Sequence, residues 1–341
     1  MTVLPDSQEL KVGTAKPVHR PSLLLAILKS WEFLLFILFI AGVGASARAS
    51  PYFLDIWNLS DATFNFTEKA IVALPMALLI IVREIDISVA GIMALASLVM
   101  GLGAQAGADW LLVALLGLAT GLVCGMFNGA LVTMFRVPAI VATIGTMSLF
   151  RGMGYAILGD QVIKSYPAGF EAFGQGYVAG PLSIEFAIFL ALAVLFGIVL
   201  HRTVVGRRIY AIGNNPEVAR FSGIAVNRYR FVLFSVVGLA AGLASVCLTS
   251  RLGSTRPSIA VGWELEIITM VVLGGVSILG GVGSILGVVL AALLMGLVTF
   301  GLGLLNVPGI VMQIVVGSLL IVVISIPGLL QRLALITRAH P

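Results

Sequence analysis

The chain has 341 residues, 60% of them hydrophobic and only 10% charged, with a formal net charge of +5. A soluble domain carries roughly a quarter charged residues, so this composition excludes a water-soluble globular protein and predicts a polytopic membrane protein. No basic tract is interleaved with aromatics, which argues against nucleic acid as a partner; the positive excess fits loops on the cytoplasmic side of a membrane. The 39 glycines suit helices packed closely in lipid. Cys124 and Cys247 both fall in apolar segments, which predicts no disulfide, and His19, His201 and His340 lie too far apart to suggest a metal site.

A spanning helix needs about 20 apolar residues, and the chain has room for about ten with their loops. Residues 1–30 are polar, carry Lys11, Lys16, Arg20 and Lys29, and read as a cytoplasmic tail. The apolar run from Phe33 to Gly44, followed by Ala45-Ser46-Ala47-Arg48-Ala49, has the look of a secretory signal but reads better as an uncleaved first span. Further spans are expected at about 67–82, 89–107, 110–135, 139–158, 183–200, 231–250, 264–279, 283–302 and 308–327. Gly159 to Leu182 forms the longest outer loop, and 331–341 a second cytoplasmic tail. With both termini inside, only Arg48, Lys69, Arg151, Lys164, Arg251 and Arg256 of the 20 lysines and arginines fall outside or within the membrane. That asymmetry supports the assignment.

One polar stretch interrupts the later spans, Gly206-Arg207-Arg208-Ile209-Tyr210-Ala211-Ile212-Gly213-Asn214-Asn215-Pro216-Glu217-Val218-Ala219-Arg220-Phe221-Ser222-Gly223-Ile224. It begins as turn residues and continues as a short helix, with Asn214 or Asn215 as cap, Pro216 in the first turn and Ser222-Gly223 as stop. Glu217 lies at the positive end of that helix, and Arg220 follows three residues later. The stretch is either a solvated loop or a surface helix that touches a partner.

Two halves of the chain share a pattern. Glu84-Ile85-Asp86-Ile87 matches Glu264-Leu265-Glu266-Ile267, and Val137-Pro138-Ala139-Ile140-Val141 matches Val307-Pro308-Gly309-Ile310-Val311. Ser148-Leu149 matches Ser318-Leu319 at the second spacing. An odd number of spans separates the copies, so they face opposite ways. Inverted repeats are characteristic of transporters, with the pathway at their interface.

Glu84 and Asp86, like Glu264 and Glu266, sit where a helix begins and its dipole favours acid. A proton relay is the sharper alternative, but no partner for them is evident in the sequence. Asn128, Thr143, Thr146, Ser148, Asn306 and Gln313 are polar residues in apolar segments, able to bond between helices or face a solute. Arg151 either snorkels to the interface or lines the pathway. The glycine-rich run from Leu273 to Gly287 lacks a preceding strand and a Walker lysine, so it reads as close packing or a tight turn rather than a nucleotide loop. There is no nucleophile–base pair, no paired catalytic acids and no metal cluster, and enzymatic activity is not expected.

The run G-R-x-I-Y-A-I-G-x-N-x-x-x-A-R-x-S-G-I at 206–224 resembles the cytoplasmic coupling loop of carbohydrate ABC importer permeases, the ribose/galactoside/rhamnose/autoinducer-2 group. Ile85-Asp86-Ile87-Ser88, Thr146 to Gly152 and the glycine-rich run resemble other motifs of that family, together covering most of residues 80 to 330. Where the family motif reads G-G-I-D-L-S-V-G, Arg83-Glu84 replaces the two glycines. The resemblance implies an all-α permease domain over 31–330, with a coupling loop at 203–228 docked on ABC ATPase subunits. It implies Gly206, Arg207, Gly213, Asn215, Glu217, Ala219, Arg220, Ser222 and Gly223 as coupling residues. It further implies a second permease, identical or sister, and a periplasmic sugar-binding protein that delivers a sugar. ATP would be bound by the partner subunit and no cofactor by this chain. The location would be the bacterial inner membrane. Trp31-Glu32 and Arg83-Glu84 point towards rhamnose-type and autoinducer-2-type permeases. The alternative function is an ion-gradient-driven transporter of a small polar solute, which requires paired carboxylates in mid-membrane.

Overall fold

The computed structural model describes residues 30–312 and, beyond them, 314, 315, 317, 318 and 321. The two expected tails and most of the last expected span lie outside those residues. In chain order the helices are α1 (Trp31–Ala49), α2 (Ile56–Thr63), α3 (Thr67–Ile81), α4 (Val89–Gln105), α5 (Trp110–Thr133) and α6 (Ala139–Leu158). There follow α7 (Phe170–Gln175), a two-stranded hairpin of β1 (Tyr177–Ala179) and β2 (Leu182–Ser183), α8 (Ile184–Arg202), α9 (Val204–Asn214) and α10 (Pro216–Phe221). The described chain closes with α11 (Val226–Leu252), α12 (Trp263–Leu273) and α13 (Ile285–Leu304). Nine of these helices coincide with the expected spans. Among the described residues six are long and apolar enough to cross a membrane, and a seventh if α2 and α3, bent by 50°, count as one. Helices α4 and α12 are shorter than a full span.

The core explains the composition. Every residue of α3 is buried, as expected of a helix that is apolar on all sides. Most of α11 is buried beside it. Helices α5 and α11 cross on small residues: a Cβ on Gly121 would lie 2.4 Å from the Gly238 carbonyl, and one on Gly238 equally close to that of Gly121. No larger residue fits at this crossing, which is the small-residue packing that holds helices together in lipid.

Charged pairs fasten both ends of α3. At one end Arg251 of α11 donates from Nη2 to Glu68 Oε1 at 2.7 Å, and Lys69 meets Glu266 of α12 at 2.6 Å. At the other end Arg230 of α11 lies 3.0 Å from Glu84. A 15-residue helix is about 22 Å long, so the acidic segment of the first copy (Glu84) and that of the second (Glu266) sit at opposite ends of the bundle. This is the arrangement that inverted copies produce. The second matched pair agrees. Arg136 and Asn306, the residues before Val137-Pro138 and Val307-Pro308, both take the left-handed backbone, with φ of 58° and 55°. That conformation is uncommon outside glycine, and here it recurs at corresponding positions after α5 and α13.

Two boundaries differ from expectation. The span expected over 264–279 stops at Leu273, because Gly274 presses against the backbone of Val288 at the start of α13 and the chain turns away. Leu279 beyond it is exposed. The segment 206–213, expected as turn residues, is helical. Thr203 caps α9 by accepting from Gly206 N, and Gly206, Ile209, Ile212 and Gly213 form its buried face. The glycines there serve close contact, not turning.

Candidate functional site

Helices α9 and α10, joined at Asn215, form a platform at the Glu84 end of the bundle. Asn215 makes the corner. Its N–H donates to Ala211 O, closing α9, and its side chain accepts from Glu217 N and Val218 N, opening α10. Pro216, with φ preset, occupies the first turn. Asn215 is thus the cap of choice, not Asn214.

The platform is anchored from beneath by residues distant in sequence. Arg83 donates from Nε to Gly213 O at 2.7 Å and from Nη2 to Asn214 O at 2.8 Å. Its φ of 68° is left-handed, so a glycine at this place in the family motif has a plain backbone reason. In this chain arginine accepts the strain and gains two charge-assisted hydrogen bonds. Gly213 sits so close to the end of α3 that a Cβ would lie 2.0 Å from Ile81 O and 2.5 Å from Gly281 N. Gly281 N itself donates to Ile81 O at 2.9 Å. The Tyr210 hydroxyl donates to Gly283 O at 2.7 Å, and burial pushes that hydroxyl above the usual tyrosine range, so it stays a donor. The glycine-rich run is therefore a turn packed under the platform, between α12 and α13. Residues at the chain start join it: Trp31 Nε1 donates to Leu273 O at 2.7 Å, and Glu32 accepts from Ser284 Oγ at 2.7 Å.

The expected coupling residues divide by burial. Gly206, Gly213 and Ala219 are buried anchors, and Asn215 is the corner. Arg207, Glu217, Arg220, Ser222 and Gly223 face outward. Between them Val218 is exposed and Phe221 is 93% exposed. Of the six residues of α10 only Ala219 is buried, and Phe221 and Val218 together form an exposed apolar patch on it. Sequence reading passed over Phe221, although an aromatic residue inside a polar stretch is the available signal. It also passed over Tyr210, and it saw Arg83 only as a departure from the family motif, because the partners of both are far away in sequence.

The structure supplies partners that the sequence left undetermined for the acidic pair. Glu84 pairs with Arg230. Asp86 Oδ1 accepts from Ser88 N at 2.8 Å and from Ser88 Oγ at 2.6 Å, and Asn128 Nδ2 reaches Asp86 Oδ2 at 3.2 Å and Ser88 Oγ at 2.7 Å. This buried clasp ties the α3–α4 break to α5 and accounts for the I-D-x-S motif.

The candidate pathway residues do not gather at one place. Asn128 is buried in the clasp just described. Thr143 and Thr146 are buried in α6 and bond to Ala139 O and Thr143 O within their own helix. Ser148 is exposed on α6, on the face that carries Val141, Ile144 and Tyr155. Arg151 donates to Pro257 O at 2.9 Å and Ile259 O at 3.1 Å, holding the α11–α12 connection at the far end. Asn306 is exposed there, and Gln313 lies outside the described residues. Among the described residues no group of His, Cys, Asp and Glu could hold a metal.

A family model described as a branched-chain amino acid transport system / permease component matches residues 58–324. The autoinducer 2 import system permease protein LsrD of Escherichia coli O9:H4 (strain HS) is 36% identical over 300 residues, covering 86% of this chain and 91% of that protein. The same figures hold for LsrD of Shigella flexneri. LsrD of Klebsiella pneumoniae is 36% identical over 302 residues, 86% of this chain and 90% of its own length. No solved structure matches. The chain is an ABC importer permease. It belongs with the carbohydrate-type permeases, a family of multi-pass membrane components that work with ATPase and binding-protein partners, and its relatives are transport permeases rather than enzymes.

Proposed function

We propose that this permease carries a small, neutral, hydroxylated solute across the bacterial inner membrane, in the same sense as the autoinducer-2 permeases it resembles. The solute class is a monosaccharide such as rhamnose, or autoinducer 2 itself, handed over by a periplasmic binding protein. ATPase subunits, which bind the ATP, grip α9 and α10 from the cytoplasm, where both termini also lie. A second permease, identical or sister, completes the pathway. The single observation that carries this reading is the outward surface of α10. Val218, Arg220 and Phe221 stand in the open on α10, which the Asn215 corner joins to α9, and α9 is fastened to the end of α3 and to the glycine-rich turn through Gly213. A solvated loop gains nothing from so stiff a backing, whereas a lever requires it.

The sparse hydroxyls and amides of the spans suit a neutral solute. The rival ion-driven mechanism would use a titratable carboxylate in the pathway, and Glu84 and Asp86 are instead tied into structural pairs. The test is uptake by proteoliposomes holding the full chain with its ATPase and binding-protein partners. ATP-dependent accumulation of labelled rhamnose or autoinducer 2, lost in Arg220→Glu, supports the reading. Uptake that ignores ATP and survives Arg220→Glu, or follows a proton gradient, overturns it.

A further inference from the structure

A cleft of about 570 Å³ opens beside the platform, where the end of α5, the start of α6, α10 and the start of α11 meet. Three arginines line it, Arg136, Arg220 and Arg230, with Thr133 and Asn227 between them. Glu84, also in the wall, balances one of these charges through Arg230, which leaves an excess of about two positive charges. The pairing is incomplete: Arg230 Nε lies 3.0 Å from Glu84 but is angled too poorly for a hydrogen bond and has no other acceptor. Pro138 caps α6 without a side-chain acceptor, so the first-turn amides of that 20-residue helix add a partial positive charge to the same wall. Arg136 is held in position by its left-handed backbone, at the corner between α5 and α6. Converging guanidinium groups with a helix N-terminus are the donor set that recognises a phosphate.

We propose that this cleft binds the phosphate of an anionic phospholipid. The residues next to Arg136 favour a lipid over an acidic protein side chain: Met134 and Phe135 are 69% and 73% exposed, and Ile140 is open on the first turn of α6. They offer apolar contact to acyl chains immediately beside the charged cleft. Basic pockets at the membrane edge hold lipid headgroups by this combination. The cleft adjoins the proposed docking face of α10 through Arg220, which lines it.

The test is native mass spectrometry of the full-length detergent-purified permease, titrated with phosphatidylglycerol, with phosphatidylcholine and with inorganic phosphate. Arg136→Asn removes one charge while keeping a residue that tolerates the left-handed backbone. Arg228→Gln removes an exposed charge at the same end but outside the cleft. The expected result is one phosphatidylglycerol retained, weakened about tenfold by Arg136→Asn and unchanged by Arg228→Gln, with phosphatidylcholine weaker throughout. Inorganic phosphate that binds with the same Arg136 dependence while phosphatidylglycerol does not would keep the phosphate site and replace the lipid by a soluble anion. Equal binding of the two lipids, equal loss in both variants, or binding of neither phosphatidylglycerol nor inorganic phosphate would overturn the proposal.

Discussion

Arg83 joins the bundle to the platform, and its replacement separates strain from anchoring. A hydrogen bond to a charged group contributes about 1.5–3 kcal/mol net. The bond to Gly213 O is partly buried and the one to Asn214 O is exposed, so the first is taken at about 1.5 kcal/mol and the second at about 0.5 kcal/mol after screening. Arg83→Ala loses both, about 2 kcal/mol, and keeps a non-glycine residue at a φ of 68°. Arg83→Gly loses the same bonds but recovers about 1 kcal/mol of backbone strain. Local opening of α9 from the bundle should therefore rise about 30-fold in the alanine variant and about fivefold in the glycine variant. Hydrogen exchange reads this at the Asn215 amide, which closes α9 onto Ala211 O, and ATP-driven uptake should fall in the same order. If the two variants exchange alike, or neither differs from the parent protein, the strain-for-anchor account of Arg83 is wrong.

Gly213→Ala should be worse than either, because the added methyl meets Ile81 O and Gly281 N at distances no real contact shows. A cost of 3 kcal/mol or more is expected, ~150-fold in the folded fraction, read as poor yield and a lowered melting temperature; normal yield and melting would contradict the packing. Arg220→Glu should insert and melt like the parent protein, since the side chain is exposed, yet lose most ATP-driven uptake; full uptake would remove α10 from the docking surface. Arg251→Ala should destabilise by about 3 kcal/mol, because it strands a fully buried Glu68. Adding Glu68→Gln should restore much of that loss, and thermal melting that ranks the double variant below the single would refute the pairing.

The spans were legible because a helix in lipid must satisfy its backbone internally and stay apolar for its length. Even the bounds of α6 were readable, since Arg136-Val137-Pro138 and Gly159 punctuate it. Hydropathy failed where glycine does two jobs. In the run after Leu273 it could not distinguish a helix that continues from one that turns against α13, and in Gly206 and Gly213 it suggested turns where small size was wanted for contact. The clasp of Asp86 with Asn128, the Glu84–Arg230 pair and the Arg83 anchor are legible only in three dimensions, because each joins segments separated by other spans. The departure from glycine at Arg83 was visible, but its consequence was not. Only the structure places the Gly213 and Asn214 carbonyls where that arginine reaches them.

The matched halves bear on how a platform could drive the bundle. Gly213 touches Ile81 at the end of α3 and Gly281 in the turn between α12 and α13. The first contact belongs to one copy of the repeat and the second to its inverted partner. In the proposed mechanism a load applied at Phe221 passes through the Asn215 corner onto Gly213, and there it divides between the two copies. Helix α3 is buried throughout and pinned near both ends by ion pairs, although Pro75 interrupts its hydrogen-bond ladder, so its neighbours restrain how it moves. The other branch enters at a glycine-rich turn joining the short α12 to α13. A single docking event would then load one element from each of the two opposite copies at the same point. Relative motion of inverted halves is how a site between them is exposed to one side and then the other.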